Sequence, residues 1–154
     1  MDLHQMKRGR RAGTGLSTLY AGLVSTAAGL VVLGLLIIFT SLIHVRSVLV
    51  TAADNGARVA AITGNTQVAQ QAVADTLTEA GLPQSYGGQS LWSMSSTSVT
   101  SGAAVPEVQV AVHYNAPILF PDLFAALGHP NSLPLTIPIT VTASDVNETY
   151  FTSS

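Results

Sequence analysis

Four histidines, His4, His44, His113 and His129, are the side chains of this chain best suited to ligate a metal or move a proton. They fall in four separate regions, with none of the short spacings that put two ligands on one helix face or one hairpin. With no cysteine in the sequence, thiolate metal sites, thiol nucleophiles and disulfides are all excluded. The carboxylates are equally dispersed, and no local pair suggests a catalytic acid and base. None of the many serines sits in a Gly-x-Ser-x-Gly turn, there is no phosphate-binding glycine loop, and Tyr86-Gly87-Gly88 reads as loop. Asn147-Glu148-Thr149 matches a glycosylation sequon. The expectation is a protein without catalytic residues, cofactor or metal, and therefore not an enzyme.

Charge is more informative than chemistry. Arg11 and Arg46 bracket thirty-four consecutive residues without Lys, Arg, Asp or Glu, and Lys7, Arg8, Arg10 and Arg11 stand immediately before that stretch. A bilayer's hydrocarbon core is about 30 Å thick and needs roughly 20 apolar residues as helix; the run from about Leu19 to Ile43 exceeds this. The basic flank is retained on the cytoplasmic side, which places the N-terminus inside and the C-terminus outside. Beyond Arg58 there is no further Lys or Arg, against Asp75, Glu79, Glu107, Asp122, Asp145 and Glu148. Such a domain translocates without opposition and is unsuited to nucleic acid. Val50-Thr51-Ala52 would pass as a signal-peptidase site, but a signal core runs about 7 to 15 apolar residues and this stretch is more than twice that. The span is expected to be retained.

The organisation that follows is a basic cytoplasmic tail at 1–15, a transmembrane helix at 16–43 and one external domain at 44–154. The last has about 110 residues, enough for a single core. Within the span, Ala21, Gly22, Ser25, Thr26 and Gly29 mostly recur three or four apart and form a candidate helix-packing face, whereas the later Val, Leu and Ile residues suit lipid. The helical pattern continues over 44–63 through Val45, Val48, Leu49, Ala52, Ala53, Gly56 and Ala60. From Leu16 to Thr63 such a helix would measure roughly 70 Å at about 1.5 Å per residue, so its outer part must bury its apolar stripe against the remainder of the chain.

Gly64-Asn65 ends that helix, and Asn65 or Thr66 caps a second over 66–80, stopped by Gly81 and Pro83. Gln84 to Ser90 reads as loop. Strands are expected near 91–100, weakly, and clearly at 107–115 and 134–144, where Val108, Val110, Val112 and Tyr114, then Leu135, Ile137, Ile139 and Val141, alternate with outward residues. Pro138 cannot donate to a ladder, so the last strand is expected to be an edge or to have its N–H side unpaired there. The segment from Ala116 to Gly128 reads as an apolar turn and a short helix. Trp92, Phe120, Phe124 and Phe151 are expected in the core rather than in an adhesive patch. The fold class is α+β, with a long N-terminal helix, a second helix and an antiparallel sheet of about three strands.

In this order the features resemble the TadE/TadG-like minor pilins of tight-adherence (Flp-type) pili, a branch of the type IV filament systems. The resemblance covers nearly the whole chain and rests on the basic end Arg10-Arg11, the long span and the run Ala52-Ala53-Asp54-Asn55-Gly56-Ala57-Arg58, similar to the family's Ala-Ala-Arg-Glu-Gly-Ala-Arg. Of that run, Gly56, Ala57 and Arg58 are kept. The resemblance implies a pilin-like structural subunit in the bacterial cytoplasmic membrane or the pilus, oligomeric, with the bilayer, other pilin-like subunits and a pilus assembly platform as partners. It also implies a prepilin processing region, here at Gly13 or Gly15. The family's membrane glutamate is replaced by Leu19 and its proline by Ser25, so the carboxylate that meets a neighbouring subunit's new amino terminus is missing. The alternative, from another class, is a single-pass anchored extracytoplasmic binding or sensor domain unrelated to pili.

Overall fold

The computed structural model describes residues 11–100, 107–122 and 133–148. The fold is α+β: a long apolar helix near the N-terminus, a second helix and two small antiparallel sheets. The chain divides into two compact units, Met1–Ile37 and Ile38–Ser154.

Helix α1, Arg11–Thr63, has 53 residues. In the first unit it is the whole of the described structure. From Gly15 to Ile37 its side chains are mostly exposed, with Leu19, Tyr20 and Leu23 more than 70% accessible. From Ile38 onward the same helix belongs to the second unit and is half core. Val45, Leu49, Ala52, Ala53, Ala57, Ala60 and Ala61 are buried, at the three-four spacing that makes one stripe of a helix. Most of that stripe is alanine, which brings the helix axis close to its neighbours.

Gly64, with φ 63°, ends α1, and the Asn65 Oδ1 accepts from the backbone N–H of Gln67 at 2.9 Å and Val68 at 3.4 Å. That capping starts α2, Thr66–Glu79, whose Ala69, Val73, Ala74 and Leu77 are buried. At Gly81, φ 72° provides the left-handed exit.

Strands β1, Ser85–Tyr86, and β2, Gln89–Ser90, form a two-residue hairpin around Gly87 and Gly88, both at positive φ. This segment was expected to be loop. A Gly-Gly turn fits the primed geometry of tight hairpins, but its flanking residues are polar and carry no strand pattern. The strand expected near 91–100 is confined to β3, Thr97–Thr100, because Met94–Ser96 form one 3-10 turn. Leu91 and Trp92 are nevertheless core residues, and the Leu91 carbonyl accepts from Asn115 N–H at 2.9 Å.

Strands β4, Glu107–Pro117, and β5, Thr136–Val146, are each eleven residues long and pair antiparallel over their full length. The sheet order is β3-β4-β5, so β5 is an edge, the first of the two placements expected from Pro138. Val108, Val110, Val112, Tyr114 and Ala116 face the helices and are buried. Their register partners Ile137, Ile139, Val141 and Ala143 are only half-buried. Past the paired ends, Ile118 N–H donates to Leu135 C=O at 2.9 Å and Leu133 N–H to Pro121 C=O at 2.8 Å, so the two arms stay together beyond the sheet. Phe120 is exposed rather than core. The expected short helix within 116–128, with Phe124, lies largely outside the described residues, as do His4, His129 and Phe151.

Tyr114 ties the layers together. Its hydroxyl donates to the Pro83 carbonyl at 3.0 Å, joining β4 to the end of α2. Burial raises its phenol above the ordinary 10.0, so the folded state keeps the proton longer than the unfolded chain does. The stabilisation linked to that proton is whole below pH 10 and is lost as the pH rises through the folded-state value. Tyr114→Phe should therefore cost about 1 kcal/mol at neutral pH through the lost hydrogen bond, yet show a shallower loss of stability above pH 10, as read by denaturant melts across that range.

Candidate functional site

Among the described residues, helix α1 is long and apolar enough to cross a membrane. Successive helical residues are turned by about 100°, so Ala21, Ser25 and Ala28 share a strip about 60° wide. They line a shallow groove with Leu16, Ser17, Tyr20 and Val24 along its sides. Gly22 and Gly29 lie on the adjoining row, and a Cβ placed at either, or at Gly15, would meet nothing within 4 Å. Among the described residues, these glycines meet no packing need. Thr26 stands at the margin of the face with its hydroxyl turned back on the Gly22 carbonyl at 2.9 Å, satisfied within its own helix. Four of the five residues singled out from the sequence, Ala21, Gly22, Ser25 and Gly29, thus form a smooth, unoccupied strip. Gly13 and Gly15, the candidate processing region, both fall in the first turns of α1.

The Gly56-Ala57-Arg58 run divides by role. Gly56 is where α1, α2 and β4 converge: a Cβ there would stand 2.6 Å from Val73 Cγ2 and 3.4 Å from Val110 Cγ1. Ala57 is buried beside it. Arg58 points outward into a polar depression of about 640 Å³ shared with Asp54, Glu79 and Asp145, across which Asn55 Nδ2 donates to Thr76 Oγ1 at 3.0 Å.

A second groove, about 690 Å³, runs along the seam between α1 and edge strand β5. Phe39, Leu42, Ile43, Arg46 and Val50 form one wall and Ile137 to Thr142 the other. The sequence pattern alone did not reveal it. The alternation of Ile137, Ile139 and Val141 marks an inward face, but only their edge position leaves that face half-covered.

No three His, Asp or Glu gather into a group able to hold a metal among the described residues. His113 Nδ1 lies 2.8 Å from Thr140 Oγ1 across the β4-β5 ladder on the exposed face, and His44 is exposed on α1. The arrangement offers two surfaces, a smooth helical strip and an apolar seam. Comparison with known proteins finds no matching family model, curated protein or solved structure.

Proposed function

We propose that this chain is a membrane-anchored structural subunit, of the minor-pilin or pseudopilin kind, in a tight-adherence-type pilus or secretion apparatus. The observation that carries the proposal is the double use of one helix. Over its first half, from Gly15 to Ile37, α1 presents mostly exposed apolar and small side chains; over its second half it contributes a buried stripe to the core of the outer unit. A helix so divided serves assembly. The first half sits in the bilayer and packs laterally on sister subunits through Ala21, Gly22, Ser25 and Gly29, and the second fixes the outer unit to it. The bare Gly22 and Gly29 positions support lateral packing, because small residues let membrane helices approach closely where no hydrophobic drive exists.

Retention of the span is supported by the core itself. A cut after Ala52 would remove Val45 and Leu49, both buried, from the unit they stabilise. The missing glutamate at Leu19 points to a subunit held in the membrane or at the base of an assembly rather than one repeated along the shaft.

Gly29→Leu or Ser25→Leu in the full chain should lower co-purification with partner pilins several-fold while leaving the melting of the outer unit unchanged, since neither residue belongs to it. Undiminished association would remove the packing face.

A further inference from the structure

The seam between α1 and β5 changes character along its length. The two elements run in the same direction, since Phe39 to Val50 share a groove with Ile137 to Thr142 and Thr51 to Arg58 share the next depression with Ser144 and Asp145. The first is predominantly apolar and the second polar. The end of the sheet where β4 leaves and β5 begins, Pro117 opposite Thr136, is therefore the end at which the chain enters this unit at Ile38.

Exposed apolar side chains collect at that end. On the sheet arms Leu119 is 46% accessible, Phe120 44% and Leu135 44%, and on the entering helix Phe39 is 66% and Ile43 68% accessible. Leu119, Phe120 and Leu135 lie on the two arms held by the Ile118–Leu135 and Leu133–Pro121 backbone bonds, so their proximity is built in. Arg46 in the groove and Asp122, two residues past Phe120, are the charges here, and both are exposed. In water such a cluster is unfavourable by about 25 cal/mol per Å² of apolar surface, and the chain supplies an alternative to water at this level. Tyr20 suits the inner aromatic belt, and the helix from Tyr20 to Phe39 rises about 28 Å, close to the roughly 30 Å of the hydrocarbon core. The outer boundary then falls at Phe39 to Ile43, where the chain enters this unit.

We propose that this end of the outer unit is seated in the outer interface of the bilayer, with Leu119, Phe120 and Leu135 at the acyl boundary and Arg46 on lipid phosphate. The lipid surface, and not a protein, fills the apolar seam from below. An arginine at the first charged position after the span suits phosphate. The proposal rests on the anchored reading above.

The absence of cysteine makes single labels clean. The full chain with Leu119→Cys, Phe120→Cys, Leu135→Cys, Leu30→Cys or Gln71→Cys, each carrying an environment-sensitive fluorophore, is placed in vesicles of phosphatidylethanolamine and phosphatidylglycerol. Quenching is compared between aqueous iodide and lipids bearing a nitroxide near the headgroup or deep in the acyl chain. Labels at 119, 120 and 135 should be quenched several-fold more than the Gln71 label by the shallow nitroxide and be resistant to iodide. Iodide access equal to that at Gln71 would overturn the proposal. In that case a Leu30 label quenched by the deep nitroxide shows that the anchor stands and the outer unit is held clear, whereas an iodide-accessible Leu30 label shows that the anchor fails too. Resistance to both quenchers at 119, 120 and 135 means protein covers the patch and equally overturns it.

Discussion

Gly56→Val should destabilise the outer unit by about 3 kcal/mol, the upper end of what overpacking costs. Even the first added carbon would stand 2.6 Å from Val73 Cγ2 and within 3.5 Å of the Ala69 carbonyl oxygen. The valine methyls must then push α2 or β4 outward along a seam made of buried alanine and valine. Gly56→Ala should cost less, because about 1 kcal/mol of helix propensity is regained and only one atom must be accommodated. Gly22→Ala, in the same helix with nothing within 4 Å, should leave the outer unit's denaturant midpoint unchanged. The series separates a close approach between elements from a general intolerance of helical glycine replacement. Equal midpoints for Gly56→Val and Gly22→Ala would contradict the convergence of α1, α2 and β4 at this residue.

Leu49→Ala should cost about 2 to 5 kcal/mol, the usual range for emptying a fully buried leucine site. Leu49 is completely inaccessible, on a stripe otherwise built mainly of alanine, so neighbouring side chains have little length with which to refill the space. Such a loss is a large share of the roughly 5 to 15 kcal/mol that holds a domain folded. Since Leu49 lies only a few residues past the apolar run, the same result shows that the helix continuing that run is part of the second unit's core. Val50→Ala is the matched control: its side chain is 40% accessible, and its loss should be well under half as large. A folded outer unit indifferent to Leu49→Ala would mean that α1 does not contribute its core.

The elements legible in the sequence are those whose periodicity is enforced by burial on one side. The alternation of Val108, Val110, Val112 and Tyr114 is read directly because β4 is central and every inward residue is covered. Helix α2 is read from its Asn65 cap and Gly81 exit, local signals that depend on no distant contact. The β1-β2 hairpin escapes because two-residue strands of polar residues have no pattern to detect, although Gly87-Gly88 is a turn signal. Leu91 and Trp92 belong to the core without belonging to a strand, which makes their region look more extended than it is. On the site side, the small residues of the span are visible because composition alone marks them. The seam of Phe39 and Ile43 with Ile137 and Ile139 is invisible because it joins segments nearly a hundred residues apart.

The measurement that bears most directly on the account is the intact mass and N-terminal sequence of the chain recovered from its native membrane and from shed filaments. A helix that both anchors and builds the core predicts a terminus at or before Leu16, with the whole span present and the chain in association with other pilin-like subunits. A terminus near Ala53 would contradict it, because the span would then have been a signal and Val45 and Leu49 would be absent from the folded unit.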